Sequence, residues 1–399
     1  MKQTRSFARI DPGARPGFEV RFALDMEATI TAMSEYQYYE FQAIDRPLSD
    51  ADREALRALS TRARITATSF TNSYEWGDFK GNPGNLMERW FDLHLYLANW
   101  GSRRLMIRLP EHLVDRSFVE TFIAEADCVS VKVSGENLIV VIDRDGLEFV
   151  DWDDGSGWLA ALAPLRAEVL AGDLRLFYLL WLTAVEADVF LADQPEPLPG
   201  IGPMSASLAA FAAFFGIDTN LVQAAAERPT DRAAKPMSAA AVREIIAMIA
   251  PSDQTTMLAR LYDGDPHVAV ELRARVRRRI VANGSGTPPE AVRTVGELRA
   301  RAKEIGLEKD RLRLDEAEKV RRARLLATSR RGNAVWREVE SEIERRNAAG
   351  YDKAVTLLLD LQAVAVDSNA VDDFVRQLRA IRQRHARKGQ LIERLTRLG

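Results

Sequence analysis

The chain has 399 residues, of which 47% are hydrophobic and 28% are charged, and its formal net charge is −3. This length and composition suit two or three domains with buried cores and exclude a disordered polar chain. One cysteine excludes a disulfide framework and a multi-cysteine zinc or iron–sulfur site. Four widely spaced histidines argue against a histidine-based metal site, so we expect no metal and no cofactor.

The first 32 residues differ in pattern from the rest of the chain. Residues 1–32 show no regular hydrophobic period, whereas residues 36–44, just after Met33, alternate and are rich in aromatic side chains. Two interpretations remain open: translation starts at Met33 rather than Met1, or residues 1–32 form a short arm. No signal peptide is visible and every apolar segment is shorter than a membrane span, so we expect a cytoplasmic protein with no membrane partner.

Alternation of hydrophobic and polar residues predicts a small mixed or antiparallel sheet in the front half. The predicted strands cover residues 36–44, 65–74, 91–98, 105–109, 129–133 and 138–142. Ser49 and Pro83 are typical helix starts and place two helices between the strands. Residues 134–137 have the composition of a hairpin turn.

Helices are predicted to come after the sheet. The hydrophobic pattern of residues 158–191 is typical of helical structure that is largely buried. Residues 193–203 contain four prolines and are predicted to form a linker or an edge loop. A helix capped by Ser238 and ended by Pro251 comes next, and a further helix covers residues 266–281.

Residues 290–347 are helix-prone and strongly charged. Their first hydrophobic positions form one narrow stripe with 3-4-3 spacing: Val295, Leu298, Ala302 and Ile305. The stripe falters at Gly306, and residues 330–332 are expected to interrupt the helix. One stripe over so many turns indicates a solvated helix that touches one neighbour, or a coiled-coil seam through which the chain would form a homo-oligomer.

Together these patterns predict an α+β protein, in which a sheet domain precedes a mainly helical half with a long charged helix and an αα-hairpin. The predicted segments are an N-terminal extension (1–32), the α+β domain (33–155), a helical subdomain (156–230), a helical connector (231–289), the long charged helix (290–347) and a C-terminal helical hairpin (348–399). Residues 33–230 have a net charge of −14 and residues 231–399 one of +10. This contrast predicts separate domains, with mutual attraction or an anionic partner for the back half.

Several short motifs mark the back of the chain: TVGEL at residues 294–298, an Arg/Glu-rich helix, WREV at 336–339, YDKAV at 351–355, and a basic tail at 378–388 with Leu391 and Leu395 after it. With these motifs, residues 293–399 resemble the C-terminal region of bacterial SWIM zinc-finger proteins. Cys128 stands alone, so the zinc finger is absent and its zinc-dependent binding does not carry over. The resemblance implies a helical module for protein–protein contact. The front half resembles uncharacterised bacterial proteins that begin near Met33, which implies no function.

Two places have the residue types of an active site. Asp92, His94 and Tyr96 fall on one face of a predicted strand, which we expect to be the non-core face, and a general base needs such an orienting partner. A hydrogen-bonded surface histidine is the alternative. Residues 151–157, which include Asp153, form an acidic loop that suits a hard cation, but the EF-hand spacing fails. An acidic turn that caps the next helix is the alternative there.

Clustered arginines in the back half are candidates for contacts with nucleic-acid phosphates. The candidates are Arg277, Arg278, Arg279, Arg321, Arg322, Arg324, Arg330 and Arg331. The long helix also contains acidic residues at distances that allow local pairing, and it lacks interleaved aromatic residues for base stacking. A solvated helix face whose charges pair with each other is therefore the alternative.

The sequence supports three functional hypotheses, in order of preference. The first is a non-enzymatic protein-interaction or scaffold module with a protein partner. The second is nucleic-acid binding through the arginine-rich helices. The third is an enzyme with a site near His94 or Asp153.

Overall fold

The computed structural model describes residues 35–114, 116–148, 152–229, 239–265, 267–282 and 292–398. Three residues that the sequence predictions use lie outside these ranges: Met33, Asp151 and Ser238. The chain divides into two compact units, Met1–Ala302 and Lys303–Gly399. Within the described ranges, every helix is too short or too polar to span a membrane.

Seven strands form one sheet in the first unit. They are β1 (Gln37–Gln42), β2 (Arg64–Ile65), β3 (Ser69–Tyr74), β4 (Leu93–Ala98), β5 (Arg103–Pro110), β6 (Val129–Ser134) and β7 (Asn137–Arg144). Their order across the sheet is β2-β3-β1-β4-β5-β7-β6, and each neighbouring pair is antiparallel. The expected hairpin joins β6 to β7, with Ser134 opposite Asn137. The α+β class is confirmed, and the sheet is antiparallel.

The first unit also contains eleven α-helices and one 3₁₀ helix (Glu111–Leu113) within its described residues, before the long helix begins. They are α1 (Asp50–Leu59), α2 (Pro83–Arg89), α3 (Arg116–Ile123), α4 (Trp158–Leu162), α5 (Pro164–Leu170), α6 (Arg175–Glu186), α7 (Ala206–Phe214), α8 (Thr219–Ala226), α9 (Ala239–Ala247), α10 (Pro251–Tyr262) and α11 (Val268–Ala282). Two boundaries differ from expectation. Residues 158–191 form three helices, because Pro164 starts a new one and Gly172 ends it with φ of 81°. Pro251 begins α10 instead of ending α9, since proline is well suited to the first helical position.

Helices cover both faces of the sheet. On one face, Phe41 and Phe70 pack in a core with Leu56 of α1. On the other face, Leu95 and Leu105 lie opposite each other and are fully buried, and helices α4 and α5 contact strands β4 and β5. Most side chains on both faces of the central strands are therefore shielded from water.

This arrangement corrects the expected position of Asp92 and His94. Alternation along this strand predicts a non-core face for both side chains, but both are completely buried. Alternation along one strand separates its two faces, and it does not reveal that a second layer of helices covers the more polar face.

The second unit is helical. Its elements are most of α12 (Val295–Arg331), then α13 (Asn333–Glu344), α14 (Ala348–Asp367), α15 (Val371–Arg384), α16 (Gly389–Leu395) and a 3₁₀ turn (Thr396–Leu398). Helix α12 continues through Gly306 and stops before Gly332, where the interruption was expected. Val339, Leu358 and Phe374 belong to one core, so α14 and α15 form the predicted hairpin and α13 packs with it.

The N-terminus of α1 offers a direct test of the local structure. The Ser49 hydroxyl accepts a hydrogen bond from the Asp52 N–H (3.2 Å), and the Asp52 carboxylate accepts one from the Ser49 N–H (3.0 Å). Replacing Ser49 by Ala removes the first bond and leaves a helix N–H unsatisfied, so we expect the free energy of unfolding to fall by about 1 kcal/mol. Denaturant unfolding monitored by circular dichroism measures this change.

The matched control is Ser252→Ala. Ser252 is exposed in the first turn of α10, where Ala250 occupies the capping position. Equal losses of stability in the two variants would contradict a capping role for Ser49.

Candidate functional site

His94 lies at the centre of an aromatic cluster and has no exposed atom. Its ring stacks on Phe41 at a centroid distance of 4.0 Å, and Nδ1 lies 3.1 Å from the Glu40 carbonyl oxygen. Within the described residues, Nε2 has no hydrogen-bond partner. Burial lowers the pKa of His94 to about 3, so the ring is neutral at physiological pH. A buried, neutral imidazole suits a packing role and has no contact with solvent or solutes.

Asp92 is the centre of a buried ionic cluster at the end of the sheet where β4 begins. Its Oδ2 accepts hydrogen bonds from the backbone N–H groups of Ile44 (2.6 Å) and Asp45 (3.0 Å). Its Oδ1 accepts from Nη2 (2.8 Å) and Nε (3.1 Å) of Arg108. The desolvation of this buried carboxylate is compensated by its four hydrogen bonds.

Arg166 of helix α5 completes the cluster. It donates from Nη1 (2.9 Å) and Nη2 (2.6 Å) to the two oxygens of Asp45, and from Nε to the Arg108 carbonyl oxygen (2.8 Å). His267 lies before α11 and places Nε2 3.2 Å from Oδ2 of Asp45. Burial opposes ionisation of Asp45, but His267 and Arg166 outweigh it and hold the pKa of that carboxyl well below its usual range. The cluster links a loop, two strands and two helical segments.

Asp153, the other candidate for chemistry, organises its own loop. Its Oδ1 accepts a hydrogen bond from the Gly155 N–H (2.9 Å), and its Oδ2 accepts one from Nε1 of Trp158 (2.8 Å) and pairs with Nη2 of Arg103 (3.4 Å). In the part of the chain that the structure describes, no group of three or more acidic, histidine or cysteine side chains is arranged to hold a metal ion. These contacts favour the interpretation of a structural turn.

The arginine candidates on α12 are exposed, but most of them form ion pairs. The pairs are Arg321 and Arg322 with Glu318, Arg324 with Asp360, and Arg331 with Glu338. Arg330 is also exposed, and the side chains of Arg277, Arg278 and Arg279 lie outside the described residues. Local pairing reduces the positive potential that a phosphate backbone would meet on this helix.

A second buried ion pair was not foreseen from the sequence. Glu196, in the proline-rich loop, accepts hydrogen bonds from the Tyr178 hydroxyl and from Nε of Arg293. Arg293 also donates from Nη1 to the Ala224 carbonyl oxygen (2.9 Å). Burial and the nearby Glu196 carboxylate raise the pKa of Tyr178 well above its usual value. The group fixes the loop to the start of α12, so it has a structural role.

Three exposed tryptophans mark the opposite end of the sheet from Asp92. Trp76 comes after β3, Trp100 lies between β4 and β5, and Trp152 lies beyond β7. The exposed fraction is 76% for Trp76, 48% for Trp100 and 62% for Trp152. Gln37 pairs with Tyr74 on β3 and with Ala98 on β4, so these loops leave the same end of the sheet. We call the surface formed by Tyr36, Trp76, Trp100 and Trp152 the tryptophan end.

Hydrogen bonds hold the loops of the tryptophan end together. The Tyr36 N–H donates to the side-chain Oδ1 of Asn99 (3.0 Å), and the Asn99 N–H donates to the Tyr36 carbonyl oxygen (3.0 Å). The Tyr36 ring packs on Trp152 at a centroid distance of 5.0 Å. Gly101 has φ of 93° and accepts a bond from the Leu147 N–H (3.1 Å). A Cβ at this position would lie 2.5 Å from the Leu147 carbonyl oxygen, so only glycine allows the two loops to approach this closely.

The loop that carries Trp76 is fixed as well. The side chain of Gln37 is buried at the start of β1, and its Nε2 donates to Oδ1 of Asp78 (3.0 Å). The same amide's Oε1 accepts from the Tyr39 hydroxyl (2.8 Å) and from the Tyr96 hydroxyl (3.3 Å). Burial raises the pKa of Tyr96 to about 12, so this hydroxyl remains a donor at neutral pH.

Sequence reasoning missed the tryptophan end because its members are far apart in the chain. Trp76 and Trp152 belong to loops that are separated by four strands along the sequence. The available signal was local, because Trp76 and Trp100 directly precede a glycine and Trp152 lies between two aspartates, where a core position is not expected.

Comparison of the chain with protein-family models, with curated proteins and with solved structures gave no match in any of the three.

The burial of His94 makes its titration predictable. We expect its imidazole to remain neutral between pH 8 and pH 5, because protonation would place an unpaired charge in an aromatic core. Histidine ¹⁵N chemical shifts recorded across this range measure the protonation state, and a His94→Phe variant assigns the signal. A midpoint above pH 5 would contradict the packing role.

The ionic cluster predicts a specific acid response. The folded-state pKa of Asp45 is depressed, so its ion pairs stabilise the fold above the unfolded pKa of about 4, and this stabilisation is lost as the pH falls through the folded pKa. We expect Asp45→Asn to lower the free energy of unfolding at pH 7 by about 3 kcal/mol, because Arg166 loses its partner in a buried site. Below pH 4 the difference from the wild type should shrink.

The control for this comparison is Asp50→Asn, which removes an exposed pair with Arg53 and should have little effect. Urea unfolding at a series of pH values gives both differences. A gap between Asp45→Asn and the wild type that is the same at pH 7 and pH 3 would overturn the assignment.

Proposed function

We propose that the protein is a non-enzymatic protein-interaction module whose binding surface is the tryptophan end. The observation that carries this proposal is the exposure of Trp76, Trp100 and Trp152 on loops at one end of the sheet. Tryptophan is enriched at protein interfaces and among the residues that contribute most to binding energy. Three of them on one surface supply a large apolar area with few rotatable bonds.

The rigidity of the loops supports the same proposal. The bonds among Tyr36, Asn99, Gly101 and Leu147 fix the backbone around Trp100, and the bond from Gln37 to Asp78 fixes the loop that carries Trp76. A surface that is already ordered loses less conformational entropy on association than a flexible one. The side chains with catalytic residue types, His94 and Asp153, are by contrast engaged in packing and in loop structure.

Helix α12 supports a scaffold arrangement. Residues 310–324 are helical and, apart from the half-buried Glu318, exposed on every side. Leu312, Leu314 and Val320 are exposed in this stretch, and their spacing does not place them on one stripe. Ion pairs within the helix, such as Glu318 with Arg322 (2.9 Å), suit a solvated helix better than a nucleic-acid contact.

The test is affinity purification of the full chain from its native host, with and without nuclease, read by mass spectrometry. We expect a stoichiometric protein partner that resists nuclease and is lost when Trp76→Ala, Trp100→Ala and Trp152→Ala are combined. The loss should exceed tenfold, since truncation of even one central aromatic residue can cost about 2 kcal/mol of binding free energy.

The matched control combines Leu307→Ala, Leu312→Ala and Leu314→Ala, which removes exposed apolar side chains from α12. It should retain the partner. Thermal unfolding checks that both triple variants remain folded. If the tryptophan triple variant does not fold, the single variant Trp76→Ala replaces it in the test, because Trp76 is the most exposed of the three. Retention of the partner by folded tryptophan variants, or co-purification of nucleic acid in place of a protein, would contradict the proposal.

A further inference from the structure

We propose that the tryptophan end binds an arginine-rich segment of a partner protein. This inference rests on the proposed function and adds the chemistry of the partner. Three observations support it: the charge around the exposed rings, the way this chain already binds its own arginines, and one unfilled arrangement of the same kind.

The loops around the three tryptophans have an excess of negative charge. Five exposed carboxylates lie on them: Glu75, Asp78, Asp145, Glu148 and Asp154. Within the residues that the structure describes, none of the five forms an ion pair with a lysine or an arginine. Indole rings and unpaired carboxylates on one surface attract a cation that also has an apolar, planar face.

Two arginines of this chain already occupy sites of that composition. The Arg103 guanidinium carbon lies 5.8 Å from the ring centroid of Trp158, and the guanidinium pairs with Asp153, which also accepts the Trp158 N–H. At the other site, Arg89 lies over the Trp90 ring at 4.6 Å, and the Trp90 N–H donates to an aspartate carboxylate (2.7 Å). In both sites a tryptophan ring contacts an arginine and its N–H binds an aspartate, and at Arg103 the arginine also pairs with that aspartate.

Trp100 has the first two members of such a group. Its Nε1 donates to the Ser102 hydroxyl (3.0 Å), which in turn donates to the Asp145 carboxylate. The ring is 48% exposed, and within the described part of the chain no guanidinium lies over it. An arginine from a partner would stack on Trp100 and pair with Asp145, as Arg103 does with Trp158 and Asp153.

Arginine fits this surface better than other occupants. Its guanidinium stacks on indole rings and forms two parallel hydrogen bonds with a carboxylate, whereas the lysine ammonium is strongly hydrated and acts as a point charge. A phosphate-bearing ligand would be repelled by the five carboxylates. A neutral oligosaccharide would stack on tryptophan but would gain nothing from their charge.

Calorimetric titration of the full chain tests the proposal, with a twelve-residue peptide of alternating arginine and glycine as the probe. We expect binding that weakens at least tenfold when sodium chloride is raised from 50 to 500 mM, because the interaction is mainly between exposed charges. The combined variant Glu75→Gln, Asp145→Asn and Asp154→Asn should bind roughly tenfold more weakly, and a lysine–glycine peptide should also bind more weakly than the arginine peptide. The amide side chains keep the size and the acceptor oxygens of the loop contacts.

The matched control combines Asp310→Asn, Asp315→Asn and Glu316→Gln, which removes the same number of exposed carboxylates from α12. It should bind the arginine peptide as the wild type does. Equal weakening in both charge variants would show a general charge effect and would overturn the proposal.

Other outcomes separate this proposal from the proposed function. Absence of peptide binding, together with a natural partner that is still lost from the tryptophan variant, would overturn the arginine assignment and leave the interaction surface intact. Salt-independent binding of maltoheptaose, or a dimer of this chain that the tryptophan variant abolishes, would identify a different occupant and would also overturn it. A partner retained by the tryptophan variant would overturn the proposed function itself.

Discussion

The carboxylate of Asp92 is completely buried, and the fold of the first unit has to surround it with hydrogen-bond donors. A charge in that position is tolerated only when donors surround it, and here they come from the loop after β1 and from Arg108 of β5. Arg166 then has to be balanced by Asp45, which brings helix α5 against the same end of the sheet. The positions of four segments are therefore coupled through one group of charges.

Fixing one end of the strands has an effect at the other end. The central strands β1, β4 and β5 are antiparallel and pair residue by residue. Their alignment near Asp92 therefore also sets the alignment at their other ends, where the loops beyond Gln37 and Arg103 begin. The tryptophan end is built on that register and is reinforced by contacts such as Tyr36 with Asn99. The polar side chains with catalytic residue types form structural contacts inside the fold, whereas the tryptophan rings remain exposed.

Local features of the fold were predictable from the sequence. Features that depend on which helices pack over the sheet were not. The cap at Ser49, the turn at residues 134–137 and the break at Gly332 depend on neighbours only a few residues away. The burial of His94 depends on helices that cover its face of the sheet, which the pattern of β4 does not record. Asp153 was recognised as unusual, but its partner Arg103 is 50 residues distant, so its role as a loop organiser could not be read from spacing.

The division of the chain at residue 302 also determines how its stability has to be described. Each unit has its own hydrophobic core, around Phe41 in the first and around Leu358 in the second. Chains with more than one domain commonly depart from two-state unfolding, and a single melting temperature is then not a defined quantity. Where the two units give separate transitions, a substitution near the sheet is read in the transition of the first unit, and the transition of the C-terminal helices serves as an internal reference in the same experiment.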